Sequence, residues 1–292
     1  MRRSPTGLPL NGLREFGSPE AIFNASLTTL EAQRLPATVA QAIHTRQPLS
    51  DATKELAKAQ ATGCRLLTWE EPEYPSRLRE ISEPPPLLYV RGNAGLLNQH
   101  TISIVGARRP TLYGNQMAEK LARDLTDGGL VIASELARGI DVVYREENKK
   151  IFEEMEKRGA IVSEFPLGTF PAPQNFPIRN RVIAGMALGV VVVEGAQYSG
   201  SLIAARLAME FGREVYGVPG NATQPSSFGP NQLIKQGAKL VTSWEGVVEE
   251  PPSPVRAELL PVEAASTEER ASLIEGSLTP AERPLYALLS VD

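Results

Sequence analysis

The run Leu188-Gly189-Val190-Val191-Val192-Val193 restricts the fold of this chain more than any other segment. A strand with one face in water alternates apolar and polar residues, whereas this one has no polar residue over six positions. Both of its faces must therefore be covered, which is the situation of a strand inside a parallel sheet with helices on each side. The neighbouring sequence repeats the theme. Thr101 to Val105, Leu130 to Ala133, Ala160 to Val162, Glu214 to Val218 and Lys239 to Val241 read as further strands. Helical spacing lies between them: Met117, Leu121 and Leu125 within 113–127, Ile151 and Met155 within 146–158, and Ile203, Leu207 and Phe211 within 201–211. Residues 178–186 read as one more helix. Such alternation predicts an α/β protein with a Rossmann-like, doubly wound, mostly parallel sheet.

Upstream, Ser18-Pro19-Glu20 is an N-cap followed by proline at the first helical position. Further short helices are expected from Thr28-Thr29 and over 50–62, with Pro36 and Gly63 as interruptions. The expected organisation is a small helical domain over 1–65, the sheet domain over 66–250, a Pro-, Glu- and Ser-rich linker over 251–277, and the start of another domain over 278–292. There Thr279-Pro280 opens a helix.

Composition removes several function classes. Neither a signal-peptide core nor an apolar run of membrane-spanning length is present, and Cys64 is the sole cysteine. A reducing, cytoplasmic setting without membrane contact is expected. His44 and His100 have no second ligand at metal spacing, so no metal and no cofactor are expected. The net charge of −4 argues against a broadly basic nucleic-acid binder, but leaves room for a local basic pocket.

In an open α/β sheet, ligands bind outside the carboxyl ends of the strands. Three strand-to-helix segments carry anion-binding chemistry there. Gly106-Ala107-Arg108-Arg109 follows the first strand, Asn175-Phe176-Pro177-Ile178-Arg179-Asn180-Arg181 follows the Ala160 strand, and Ser199-Gly200-Ser201 follows the 188–193 strand. Arginine forks match phosphate oxygens, and a helix start offers backbone N–H groups and a positive dipole end. Phe176 offers a flat face to an unpaired base, while Asn175 and Asn180 can read base edges or hold the loop. Phosphates plus exposed bases point to single-stranded nucleic acid. Neither a Gly-x-Gly-x-x-Gly fingerprint nor a Walker loop is present. Taken singly, each segment has a plain structural reading as a turn, a surface charge or a helix cap.

These segments, with Ser134 to Asp141, Ser163 to Pro166, Val218-Pro219-Gly220 and Gly229 to Ile234, resemble the DprA/Smf family of DNA-processing proteins over about residues 70–248. Phe16 to Ala21 resembles its small SAM-like helical domain, and the tail from Leu278 the opening of its winged helix. The resemblance implies a non-enzymatic protein that protects incoming single-stranded DNA during natural transformation, helps to load the RecA recombinase, and acts as a homodimer. It also implies Arg108 as the pocket arginine and Phe176 as the stacking aromatic, with Arg179, Arg181 and Ser199 to Ser201 lining the rest.

The chain departs from the family in three places. After Asp141 one α/β unit of about thirty residues is missing. Glu135 stands where glycine is usual, and Pro173 and Gln174 replace a basic residue. Weakened DNA binding is expected, with Glu135→Gly restoring affinity in a titration. The alternative from another class is a lysine-decarboxylase-like phosphoribohydrolase. It would use Glu164 or Glu194 as its acid, although the hallmark Pro-Gly-Gly-x-Gly-Thr-x-x-Glu is absent.

Overall fold

The computed structural model describes residues 15–33, 35–134, 155–170, 172, 174–250 and 255. The expectations for Glu135, Pro173, the junction after Asp141, the linker and the tail from Leu278 lie outside these residues.

Four helices come first: α1 (Pro19–Asn24), α2 (Leu27–Ala32), α3 (Ala37–His44) and α4 (Pro48–Ala61). Ser18 caps α1 as expected, its Oγ accepting from the Ala21 N–H at 3.1 Å with Pro19 inside the first turn. The second helix begins earlier than Thr28, because Ser26 supplies the cap to the Thr29 N–H. Gly63, at φ +69°, ends α4.

Two sheets follow. β1 (Arg65–Thr68), β2 (Leu87–Gly92) and β5 (Ala160–Ser163) form an antiparallel sheet in the order β1-β2-β5. The larger sheet is parallel throughout and contains β3 (Thr101–Val105), β4 (Val131–Ala133), β6 (Gly189–Val192), β7 (Glu214–Gly217) and β8 (Lys239–Leu240). Its order is β4-β3-β6-β7-β8, so the sequence direction reverses between β3 and β6.

Six strands were expected in the parallel sheet, and the Ala160 strand is the correction. It pairs antiparallel with β2, Gly92 opposite Ala160, and the Asn93 N–H donates to the Gly159 carbonyl at 2.8 Å. A Cβ at Gly92 would lie 2.4 Å from that carbonyl, so glycine at 92 permits the approach. A short β-branched run carries no information about which neighbour it will pair with.

The further helices are α5 (Ser76–Arg79), α6 (Leu112–Asp127), α7 (Asn175–Met186), α8 (Gly200–Glu210), α9 (Phe228–Lys235) and α10 (Glu245–Val248), with short 3-10 turns at Ala94–Asn98 and Pro225–Ser227. The 188–193 run behaves as its composition requires. Val191 and Val193 pack on one face with Leu121 and Leu125 of α6, and Val190 and Val192 pack on the other with Ile183, Ala184, Ala204 and Ala208. Helix α7 is wedged further: its Val182 joins Leu67, Leu78 and Leu88 beneath the small sheet. Residues 180–185 are all buried, which explains why this helix shows no amphipathic period and was expected to start only at 178.

Candidate nucleic-acid interface

Helices that precede or follow a parallel strand on the same sheet begin at its carboxyl edge, so α6, α7 and α8 all point their positive N-terminal ends there. The reversal between β3 and β6 opens the crevice in which α/β proteins place ligands. Asn175 to Arg181 reaches this edge by a different route from the one expected. It does not leave a parallel strand; it is the start of the helix that runs down into β6.

The three helix starts differ. Thr111 caps α6, its Oγ accepting from the Gly114 N–H at 3.1 Å. The Thr111 N–H and Oγ in turn donate to the Glu194 carboxylate at 2.9 and 2.6 Å. Glu194 is 2% exposed, and a Cβ at Gly114 would lie 2.5 Å from its Cδ. An internal carboxylate therefore fills the place of an anion at this helix start.

At α8 the start is open. Ser199 is the cap, hydrogen-bonded to the Ser201 hydroxyl at 2.8 Å, and Ser201 is turned into the protein. Gly200 is exposed, and a Cβ there would meet nothing within 4 Å.

The start of α7 carries the aromatic. Arg108, exposed on the turn after the buried Gly106, places its Cζ 4.5 Å from the centre of the Phe176 ring, and Arg179 lies 5.1 Å from it. Phe176 and Arg179 are three residues apart on one helix face. The ring thus serves as a mount for two guanidinium groups. Arg109 is also exposed.

The remaining expected residues hold the frame. Asn175 donates to the Phe170 carbonyl at 3.1 Å, and the buried Asn180 donates to the Gly200 carbonyl at 3.2 Å, joining α7 to the start of α8. Both side-chain amides are thus engaged in holding the loop and the helix contact. Arg181 is a correction: it lies inside the protein, paired with the buried carboxylate of Glu164. Burial raises the Glu164 carboxyl above its ordinary range, and Arg181 offsets only part of that rise. With Glu164 on Arg181 and Glu194 on Thr111, both acids of the hydrolase alternative are engaged internally.

Several features of this edge went unnoticed in the sequence. Tyr198 is 92% exposed and Phe170 is 78% exposed. Tyr113 donates its hydroxyl to the Pro219 carbonyl at 2.8 Å and borders an open cavity of about 570 Å³ with Glu194, Gly220, Asn221 and Gln224. Aromatic residues in segments that meet the carboxyl edge were the available signal. Among the described residues no His, Cys, Asp and Glu cluster could hold a metal ion, and no helix is long and apolar enough to cross a membrane.

Comparison with known proteins follows the same lines. The family described as DNA recombination-mediator protein A matches residues 65–146 and 141–252. The two matched pieces overlap at residues 141–146, next to Asp141, after which an α/β unit is expected to be missing. The DNA processing protein DprA of Bacillus subtilis is 38% identical over 221 residues, covering 68% of this chain and 74% of that protein. Protein Smf of Escherichia coli is 39% identical over 200 residues, 60% of this chain and 54% of its own length. Among solved structures, DprA of Streptococcus pneumoniae superposes with a TM-score of 0.75 at 30% identity, over 85% of this chain and 93% of that one. DprA of Helicobacter pylori, described for its single-stranded DNA binding mode, gives a TM-score of 0.57 at 28% identity, over 63% of this chain and 94% of its own. With its parallel sheet, its matched motifs and these relatives, the chain belongs to the DprA/Smf family of DNA-processing proteins.

Proposed function

We propose that this chain binds single-stranded DNA at the carboxyl edge of its parallel sheet, protects it, and presents it to the RecA recombinase during natural transformation, acting as a homodimer in the cytoplasm and catalysing no reaction. The observation that carries this reading is the Arg108–Phe176 stack beside the open start of α8. An exposed guanidinium can swing from the ring to a phosphate, leaving the ring face to a base, and the helix start accepts a second phosphate. The single-stranded DNA binding mode for which the Helicobacter pylori relative is described supports the choice of ligand. The recombinase and the dimer rest on family membership alone.

Anisotropy titration of labelled oligo-dT and a matched duplex at several salt concentrations tests the reading. Tighter binding to the single strand, weakened by salt and by Arg108→Ala, is expected. Equal binding to both forms, or indifference to Arg108→Ala, would contradict it.

A further inference from the structure

Phe176 is half-buried and carries two arginines, yet two other aromatics near it bury almost nothing. Tyr198 immediately precedes Ser199, the cap of α8, within an exposed stretch covering 196–198. Phe170 precedes α7, and its carbonyl accepts from the Asn175 side chain at 3.1 Å and from the Ala172 N–H at 2.9 Å. The segment before it is pinned in place. The Leu167 N–H donates to Glu55 of α4 at 2.6 Å, and Lys58 donates to the Leu167 carbonyl. Phe170 therefore sits on backbone hydrogen-bonded to the frame, and Tyr198 lies in a turn closed by the Ser199 N–H on the Ala196 carbonyl at 2.9 Å, while both rings face water. A solvated tyrosine at 92% exposure and a phenylalanine at 78% contribute little to folding by burial.

Contacts of α7 bring the three rings to one region of the edge. Asn180 donates to the Gly200 carbonyl, two residues beyond Tyr198. Phe176 lies in the first turn of the same helix, and Phe170 is tied to Asn175 beside it. From this arrangement we infer that Tyr198 and Phe170 extend the aromatic surface around Phe176, so that the edge holds a run of at least three unpaired bases. The inference rests on the single-stranded DNA reading and adds to it a length of strand and two residues that hold bases. Flat rings accept any base face, so the track is tolerant of sequence, as a protector of arbitrary DNA requires.

The test uses the full chain, labelled oligo-dT of increasing length, and the variants Tyr198→Ala, Phe170→Ala and Arg108→Ala. Each aromatic variant is expected to lose about 5- to 100-fold in affinity for oligo-dT. The loss should disappear on a strand of abasic residues, and the salt slope should stay unchanged because no charge is removed. Tyr198→Phe should bind as the parent does. Arg108→Ala should instead lower the salt slope by about one. Should both aromatic variants bind oligo-dT like the parent while Arg108→Ala loses affinity, the aromatic track is overturned and the DNA reading stands. Should Arg108→Ala also bind like the parent, the DNA reading itself has failed.

Discussion

Beneath the edge of the sheet, Glu194 and Glu164 neutralise positive groups from within: the first sits on the start of α6, the second on Arg181. A short distance away, the start of α8 and Arg108 face water with no acid against them among the described residues. Both regions present arginines and helix starts in the sequence, and the motifs do not show which helix start an internal acid covers. The lesson is that a positive group marks a ligand site only when the protein has not already supplied its anion. The built-in anions also explain how a chain of net charge −4 can keep a basic patch.

The buried side of this contrast should respond in stability. Arg181→Met leaves Glu164 buried without its cation, and a loss of about 3–5 kcal/mol is expected in urea unfolding. Glu164 already holds its proton more tightly folded than unfolded, and without Arg181 it will do so more strongly. A raised carboxyl contributes stability that is present at low pH and lost as pH rises through the folded value. The defect should therefore be greatest at neutral pH and shrink on acidification, while single-strand affinity of the folded protein stays unchanged. Glu194→Gln removes the charge from two hydrogen bonds to Thr111, and about 1.5–3 kcal/mol of stability should go with it.

The open side should respond in binding. Arg108→Ala is expected to cost about 1–2 kcal/mol of single-strand affinity, close to tenfold, with an unchanged urea midpoint. An altered midpoint would make Arg108 a member of the frame. Smallest is Ser199→Ala, which should remove about 1 kcal/mol of stability as a lost helix cap.

Much of this contrast was hidden from the sequence, for identifiable reasons. The uninterrupted run at 188–193 made the parallel sheet legible, since its alternate valines serve opposite cores. The antiparallel pairing of Ala160–Ser163 was not legible, because it depends on a distant partner and a glycine-permitted approach at Gly92. Helix α7 hid its first turn because burial on two sides erased its period. At the site, the segments carrying Arg108, Phe176 and Ser199 do meet at one edge. The separate fates of Arg179 and Arg181 could have been anticipated: residues two apart on a helix face different ways, so one ligand cannot take both. Exposure of Tyr198 and Phe170 needs the packed structure, because nothing local tells a solvated ring from a buried one.

The most direct measurement is photo-crosslinking of the full chain to a 5-iodouracil-substituted single strand, with the adducts located by mass spectrometry. Adducts within 106–114, 170–181 and 198–201, abolished by unlabelled oligo-dT in excess, are expected if DNA lies along the carboxyl edge. Adducts confined to the helical domain or to the antiparallel sheet, with none on that edge, would contradict it.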